Sequence, residues 1–74
     1  MDKIQRLVVR TKKEDSAFLY NILEAHEGLA AYSTVNYQIG DRFRDVELLI
    51  PVQNIQDVKN LISDLGEMVQ VVKD

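Results

Sequence analysis

Apolar residues in this chain recur with two alternating periods, about 2 and about 3.6 residues, and the order in which those periods follow one another narrows its possible folds more than any single motif. The first segment, Ile4 to Thr11, is short and rich in β-branched residues, which favours a strand. Leu7 and Val9 share one face of it, with Ile4, Arg6, Val8 and Arg10 on the other. The period then lengthens. Phe18, Ile22 and Ala25, with Leu19 and Leu23, fall at spacings of three and four, the stripe of an amphipathic helix. Two starts compete for it: a capping box of Thr11 with Glu14, or Asp15 as a simple cap. Gly28, after His26 and Glu27, suits the left-handed residue that ends helices, so a helix is expected over about 13–27.

From Leu29 to Ile39 the period returns to two. Leu29, Ala31, Ser33, Val35, Tyr37 and Ile39 line one face, and Ala30, Tyr32, Thr34, Asn36 and Gln38 the other. Gly40 and Asp41 supply turn chemistry, and Phe43 to Ile50 resumes as the second arm of a hairpin, with Val46, Leu48 and Ile50 together. Pro51 has no amide hydrogen and is expected to end the pairing. Ile55, Val58, Ile62 and Leu65 then mark a second helix, with Asn54 as cap, Asp57 three residues on, and Gly66 at its end. Met68 to Val72 is a final strand.

The resulting order is β-α-β-β-α-β, a strand-helix-strand unit used twice at a period of about 37 residues. Two such units most often interleave, so the expected fold is one α+β domain over residues 1–74: a ferredoxin-like sandwich whose four-stranded antiparallel sheet has strand order 4-1-3-2, with both helices on one face.

Composition excludes whole classes of function. Nine Lys and Arg against twelve Asp and Glu give a net charge of −3, which disfavours a general nucleic-acid binder. The 46% hydrophobic content is too high for intrinsic disorder. With no Cys there is no disulfide, thiolate metal site or thiol nucleophile, and a reducing cytoplasm suits such a chain. The N-terminal residues carry no apolar signal core, and no apolar run reaches the roughly 20 residues of a membrane span, so neither targeting nor membrane association is expected. A buried metabolite cavity of several hundred Å³ would consume most of so small a core, which moves a ligand site to an edge, a loop or the junction of two copies.

Helices on one side leave a sheet face open. Arg6, Val8 and Arg10, then Asp45, Glu47 and Leu49, then Tyr32, Thr34, Asn36 and Gln38 are expected there, with arginines opposite carboxylates in cross-strand pairs. In this order the second strand is an edge, and it carries no charge from Leu29 to Ile39, whereas natural edges are usually blunted by Lys, Pro or bulges. Pairing with a second copy into a homodimer is therefore expected there, through Tyr32, Thr34, Asn36 and Tyr37.

Catalytic chemistry finds little support, and the chain is expected not to be an enzyme. His26 is the only histidine and suits the negative end of a helix. Ser16 and Ser33 lack a neighbouring base and the glycines of a nucleophile elbow. Glu14, Asp15 and Asp41 are loop acids that capping and turn formation explain, and no metal or cofactor is expected. The glycines stand apart at 28, 40 and 66, so there is no phosphate loop, although Lys12 and Lys13 could hold an anion. RNA-recognition domains share the element order but need stacking aromatics on both central strands; here only Phe43 qualifies, followed by Asp45 and Glu47.

Taken in order, Leu7-Val8-Val9-Arg10-Thr11, then Phe18-Leu19-Tyr20-Asn21-Ile22-Leu23-Glu24, then Gly28-Leu29-Ala30-Ala31-Tyr32-Ser33-Thr34, with Phe43 to Ile50 and Asp57-Val58-Lys59-Asn60-Leu61-Ile62, resemble an ACT-type regulatory module. The segment Phe18 to Leu29 is also similar to a small bacterial domain-of-unknown-function family with an ACT-like pattern. The resemblance implies binding of an amino acid or related metabolite at an interface between two copies, through the loop after the first strand and the start of the second strand. The matching positions are Lys12, Lys13, Glu14, Asp15 and Ser16, with Leu29, Ala30 and Tyr32. A module of this kind senses a small molecule or mediates a protein interaction. The other expectation is a structural or partner-binding subunit of a larger complex.

Overall fold

A computed structural model describes residues 3–35 and 40–73. It is an α+β structure with strand β1 (Ile4–Lys12), helix α1 (Ser16–Ala25), strands β2 (Ala31–Val35) and β3 (Phe43–Pro51), helix α2 (Ile55–Leu65) and strand β4 (Val69–Lys73). The antiparallel sheet has the order β2-β3-β1-β4, which counted from the other edge runs 4-1-3-2. This topology is compatible with a ferredoxin-like fold.

The two long strands form the centre of the sheet, and their register sets which side chains share a face. Leu7 lies opposite Leu48 and Val9 opposite Val46. With Ile50 these residues join Leu19 and Leu23 of α1, Val58 of α2 and Val69 of β4 in one core. Val9, Val46 and Val58 are completely buried. Burying a Val or Leu side chain contributes about 1.5–3 kcal/mol each, so this cluster is the main favourable term in folding. Among the described residues no helix is long and apolar enough to cross a membrane.

Several local expectations are corrected. A three-residue 3-10 turn, Lys13–Asp15, precedes α1, so the α-helix proper begins three residues later than expected and ends at Ala25. The Thr11–Glu14 capping box does not form, because Thr11 belongs to β1 and is buried. Asp15 stands at the helix start without a side-chain cap bond. The buried stripe of α1 is Leu19 and Leu23, with Tyr20 packed against the core, while Phe18 is half exposed and Ala25 exposed. Pro51 is the last residue of β3, still opposite Ile4, where its missing amide hydrogen matters least.

The largest correction concerns β2. Alternation alone puts Tyr32 and Thr34 on the open face, yet they lie opposite Leu48 and Val46 and so point toward the helices. Tyr32 stacks on Tyr20 of α1, with ring centroids 5.0 Å apart and planes 15° from parallel. Its hydroxyl donates to Glu24, and the Tyr20 hydroxyl bonds Thr34 Oγ1. Ala31, Ser33 and Val35 therefore take the open side. Either face of β2 is a tolerable outer face by composition, and the area buried by two stacked rings decides between them. Asn36, Tyr37 and Gln38 lie outside the described residues.

Asn54 does not cap α2 either. Its Nδ2 reaches back to the loop between α1 and β2 and donates to the carbonyls of Gly28 at 3.1 Å and Leu29 at 3.2 Å. Gly28 has φ of +81°, the left-handed region expected of it, and the Leu29 amide closes the turn onto the His26 carbonyl at 2.9 Å.

Candidate functional site

Lys12 ends β1 directly opposite Phe43, which begins β3. Beyond that pair β1 continues into Lys13–Asp15, and Asp41 and Arg42 lead into β3. The amide of Lys13 donates to the Arg42 carbonyl at 2.8 Å, so the two departing segments are joined through their backbones. Between them lies an open cleft of about 690 Å³, lined by Lys12, Lys13, Glu14, Asp41, Arg42 and Phe43. That volume falls within the range of small-molecule sites.

One wall of the cleft is braced from behind. Arg44 is 7% exposed and faces the helix side, where its Nη1 donates to the Phe43 carbonyl at 3.1 Å and the Asp41 carbonyl at 3.3 Å. A charged donor on two carbonyls holds the turn at a fixed curvature. The Phe43 ring, by contrast, is 49% exposed. The lining therefore combines three cations, two carboxylates and an aromatic ring, a local charge of +1 in a chain of net −3. Such a mixture can hold a carboxylate, an ammonium and an apolar group at once.

Of the residues expected to bind a ligand, Lys12, Lys13 and Glu14 line this cleft, while Asp15 and Ser16 follow at the start of α1. The Ser16 hydroxyl donates to the Lys13 carbonyl at 2.7 Å and so shapes the turn. Leu29, Ala30 and Tyr32 are elsewhere. Ala31 is opposite Leu49, and Leu49 is opposite Arg6, which places the start of β2 six residues down the sheet from Lys12, about 20 Å away at a strand's rise. One chain thus does not bring both halves of the expected site together. Leu29 and Ala30 pack against the core and Tyr32 is engaged with α1.

Arg42, Phe43 and Arg44 are not among the residues the sequence marks for binding, because Gly40 and Asp41 there read only as a turn. A signal for them does exist in the hairpin: counting back from core residues Val46 and Leu48 places Phe43 at the strand end, level with Lys12. The remaining polar groups have local roles. His26 is exposed at the end of α1, and its amide donates to the Ile22 carbonyl. Hydrogen bonding to Glu24 is the main cause that raises the Tyr32 phenol above its ordinary pKa, assisted by burial. Among the described residues no three His, Asp or Glu side chains gather as a metal site. No family model matches the chain, and neither a curated protein nor a solved structure matches it.

Proposed function

We propose that the chain is a non-enzymatic, ACT-like binding module of ferredoxin-like topology that takes a small zwitterionic metabolite of the amino-acid class. The observation that carries this reading is the braced, mixed-charge cleft at the β1 and β3 ends. Lys12, Lys13 and Arg42 suit a carboxylate, Glu14 an ammonium, and the half-exposed Phe43 ring an apolar side chain. Because the backbones of both walls are already joined, a ligand gains these contacts without ordering a loop first, which conserves affinity.

A second copy has a natural place in this reading. β2 is an edge strand whose described residues, Ala31 to Val35, carry no charge. Antiparallel pairing of two such edges about a two-fold axis sets the start of one β2 beside the far end of the other. Leu29 to Tyr32 of one copy then approach the end of the sheet where the partner's cleft lies.

The test is a thermal-shift panel of free amino acids, each compared with its methyl ester and its N-acetyl form. A ligand at 100 times its dissociation constant stabilises by about 2.7 kcal/mol, which raises the midpoint of so small a domain by roughly 10 °C or more. Both blocked forms are expected to lose the shift, as is Arg42→Ala with Lys13→Ala. No shift with any amino acid, or a shift indifferent to those substitutions, would sink the reading.

A further inference from the structure

The open face of the sheet carries its charges in columns. β1 supplies Arg6 and Arg10, and neighbouring β3 supplies Glu47 and Asp45. Arg6 pairs with Glu47, and Arg10 bonds Asp45 with both Nε, at 2.7 Å, and Nη2, at 3.1 Å. The arginines remain about half exposed, 48% and 45% by side chain, so each has donors directed to the outside. Apolar groups flank the columns: Ile4 is 56% exposed and Leu49 38%. Val8, between the two arginines, is only 6% exposed although it points away from the helices.

We infer that this face is an interface for a second copy of the same chain, docked sheet to sheet. Symmetry decides how two copies would meet. Two identical faces in contact are related by a two-fold axis lying in the plane between them. An axis across the strands sets β1 over the partner's β1 and opposes arginine to arginine. An axis along the strands, over the boundary between β1 and β3, sets each β1 over the partner's β3. Every arginine then meets a second carboxylate, Arg10 over the partner's Asp45 and Arg6 near the partner's Glu47. The face is thus self-complementary in one orientation and self-repelling in the other, while both keep the strands aligned as in sandwiched sheets, so charge alone selects between them.

The area is adequate for a modest dimer. With strands about 4.8 Å apart and a rise of about 3.3 Å per residue, the described strands project roughly 450 Å² per copy, or about 900 Å² for the pair. Side-chain relief adds to that figure, which places the contact at the small end of specific interfaces. The β2 edge is a different surface, and the cleft shares only Lys12 and Phe43 with this face, so substitutions in the Arg6, Arg10, Asp45 and Glu47 columns alter no cleft residue.

The experiment is solution mass by light scattering or sedimentation over a concentration series, on wild type and two charge variants. One reverses the arginine column (Arg6→Glu with Arg10→Glu) and the other the carboxylate column (Asp45→Lys with Glu47→Lys). Each variant alone is expected to show half the wild-type mass, and an equimolar mixture is expected to restore it. If the β2 edge also pairs, wild type is four chains and the variants two. Leu49→Gln leaves the charge unaltered and is expected to raise the dissociation constant about tenfold, which keeps the test decisive if a charge variant fails to fold. A monomeric wild type throughout, charge variants of unchanged mass, a mixture that does not recover it, or an indifferent Leu49→Gln would each overturn the inference.

Discussion

Asn54 separates two physical accounts of one residue. As a helix cap it would accept a hydrogen bond from the first turn of α2, and Asp would serve equally well in its place. In the structure it is a donor, spanning from the start of α2 to the carbonyls of Gly28 and Leu29. Each neutral bond contributes about 0.5–1.5 kcal/mol net, and because both come from one partly exposed amide, Asn54→Ala is expected to cost about 1–2 kcal/mol. Asn54→Asp removes the donor and leaves a carboxylate facing two carbonyl oxygens, so the side chain must swing to water. It loses the same bonds and recovers only about 0.3–1 kcal/mol from the helix dipole. With a urea slope near 1 kcal/mol/M for a chain this small, the midpoint should fall by about 1–2 M for Ala and, taking central values of loss and recovery, by about 0.9 M for Asp. Urea unfolding followed by circular dichroism measures both. An Asp variant indistinguishable from wild type would refute the donor account and restore the capping one.

Other substitutions probe other parts of the chain. Thr11 is 1% exposed and its Oγ1 has no hydrogen-bond partner, so Thr11→Val, which keeps the shape and removes the hydroxyl, should stabilise by about 1 kcal/mol and raise the melting midpoint by roughly 4–8 °C; a decrease would show that the hydroxyl is satisfied. The Tyr32 phenol is raised above the ordinary tyrosine value of about 10, mainly by its bond to Glu24. Because folding raises this pKa, its contribution is fully present below about pH 10 and is lost as pH climbs through the folded value. Tyrosinate absorbance should therefore show a late-titrating component that Tyr32→Phe removes, and stability above about pH 10 should fall less steeply in that variant. A methyl group at Gly28 would meet only open space, but φ there is +81°, so Gly28→Ala should cost about 1 kcal/mol from backbone conformation alone, read as a urea midpoint about 1 M lower.

The candidate site is legible in halves. Lys12, Lys13 and Glu14 stand out as a charged loop between a strand and a helix, and they do line the cleft. Its other wall escapes notice because Asp41, Arg42 and Phe43 look like an ordinary turn until the hairpin register sets Phe43 beside Lys12. Arg44 is hidden for a different reason: alternation sets it on the face of Val46 and Leu48, but nothing local shows that its guanidinium is buried against backbone carbonyls. Capping assignments fail at Thr11 and Asn54 because a side chain near a helix start can also serve a neighbouring element, and local spacing does not distinguish the two.

The order of elements, the antiparallel hairpin and the apolar inner face of the central strands follow from the sequence, whereas the burial of Val8, Thr11 and Arg44 does not. Periodicity is a local property, and Leu7, Val9, Val46, Leu48 and Ile50 have no comparably apolar alternative face. The orientation of β2 and the rotation of α1, by contrast, depend on contacts made only in the folded chain. Both are governed by the same contact, Tyr20 on Tyr32. In a strand whose two faces are almost equally apolar, a shift of one residue exchanges them at little local cost, so the choice falls to the partner it packs against.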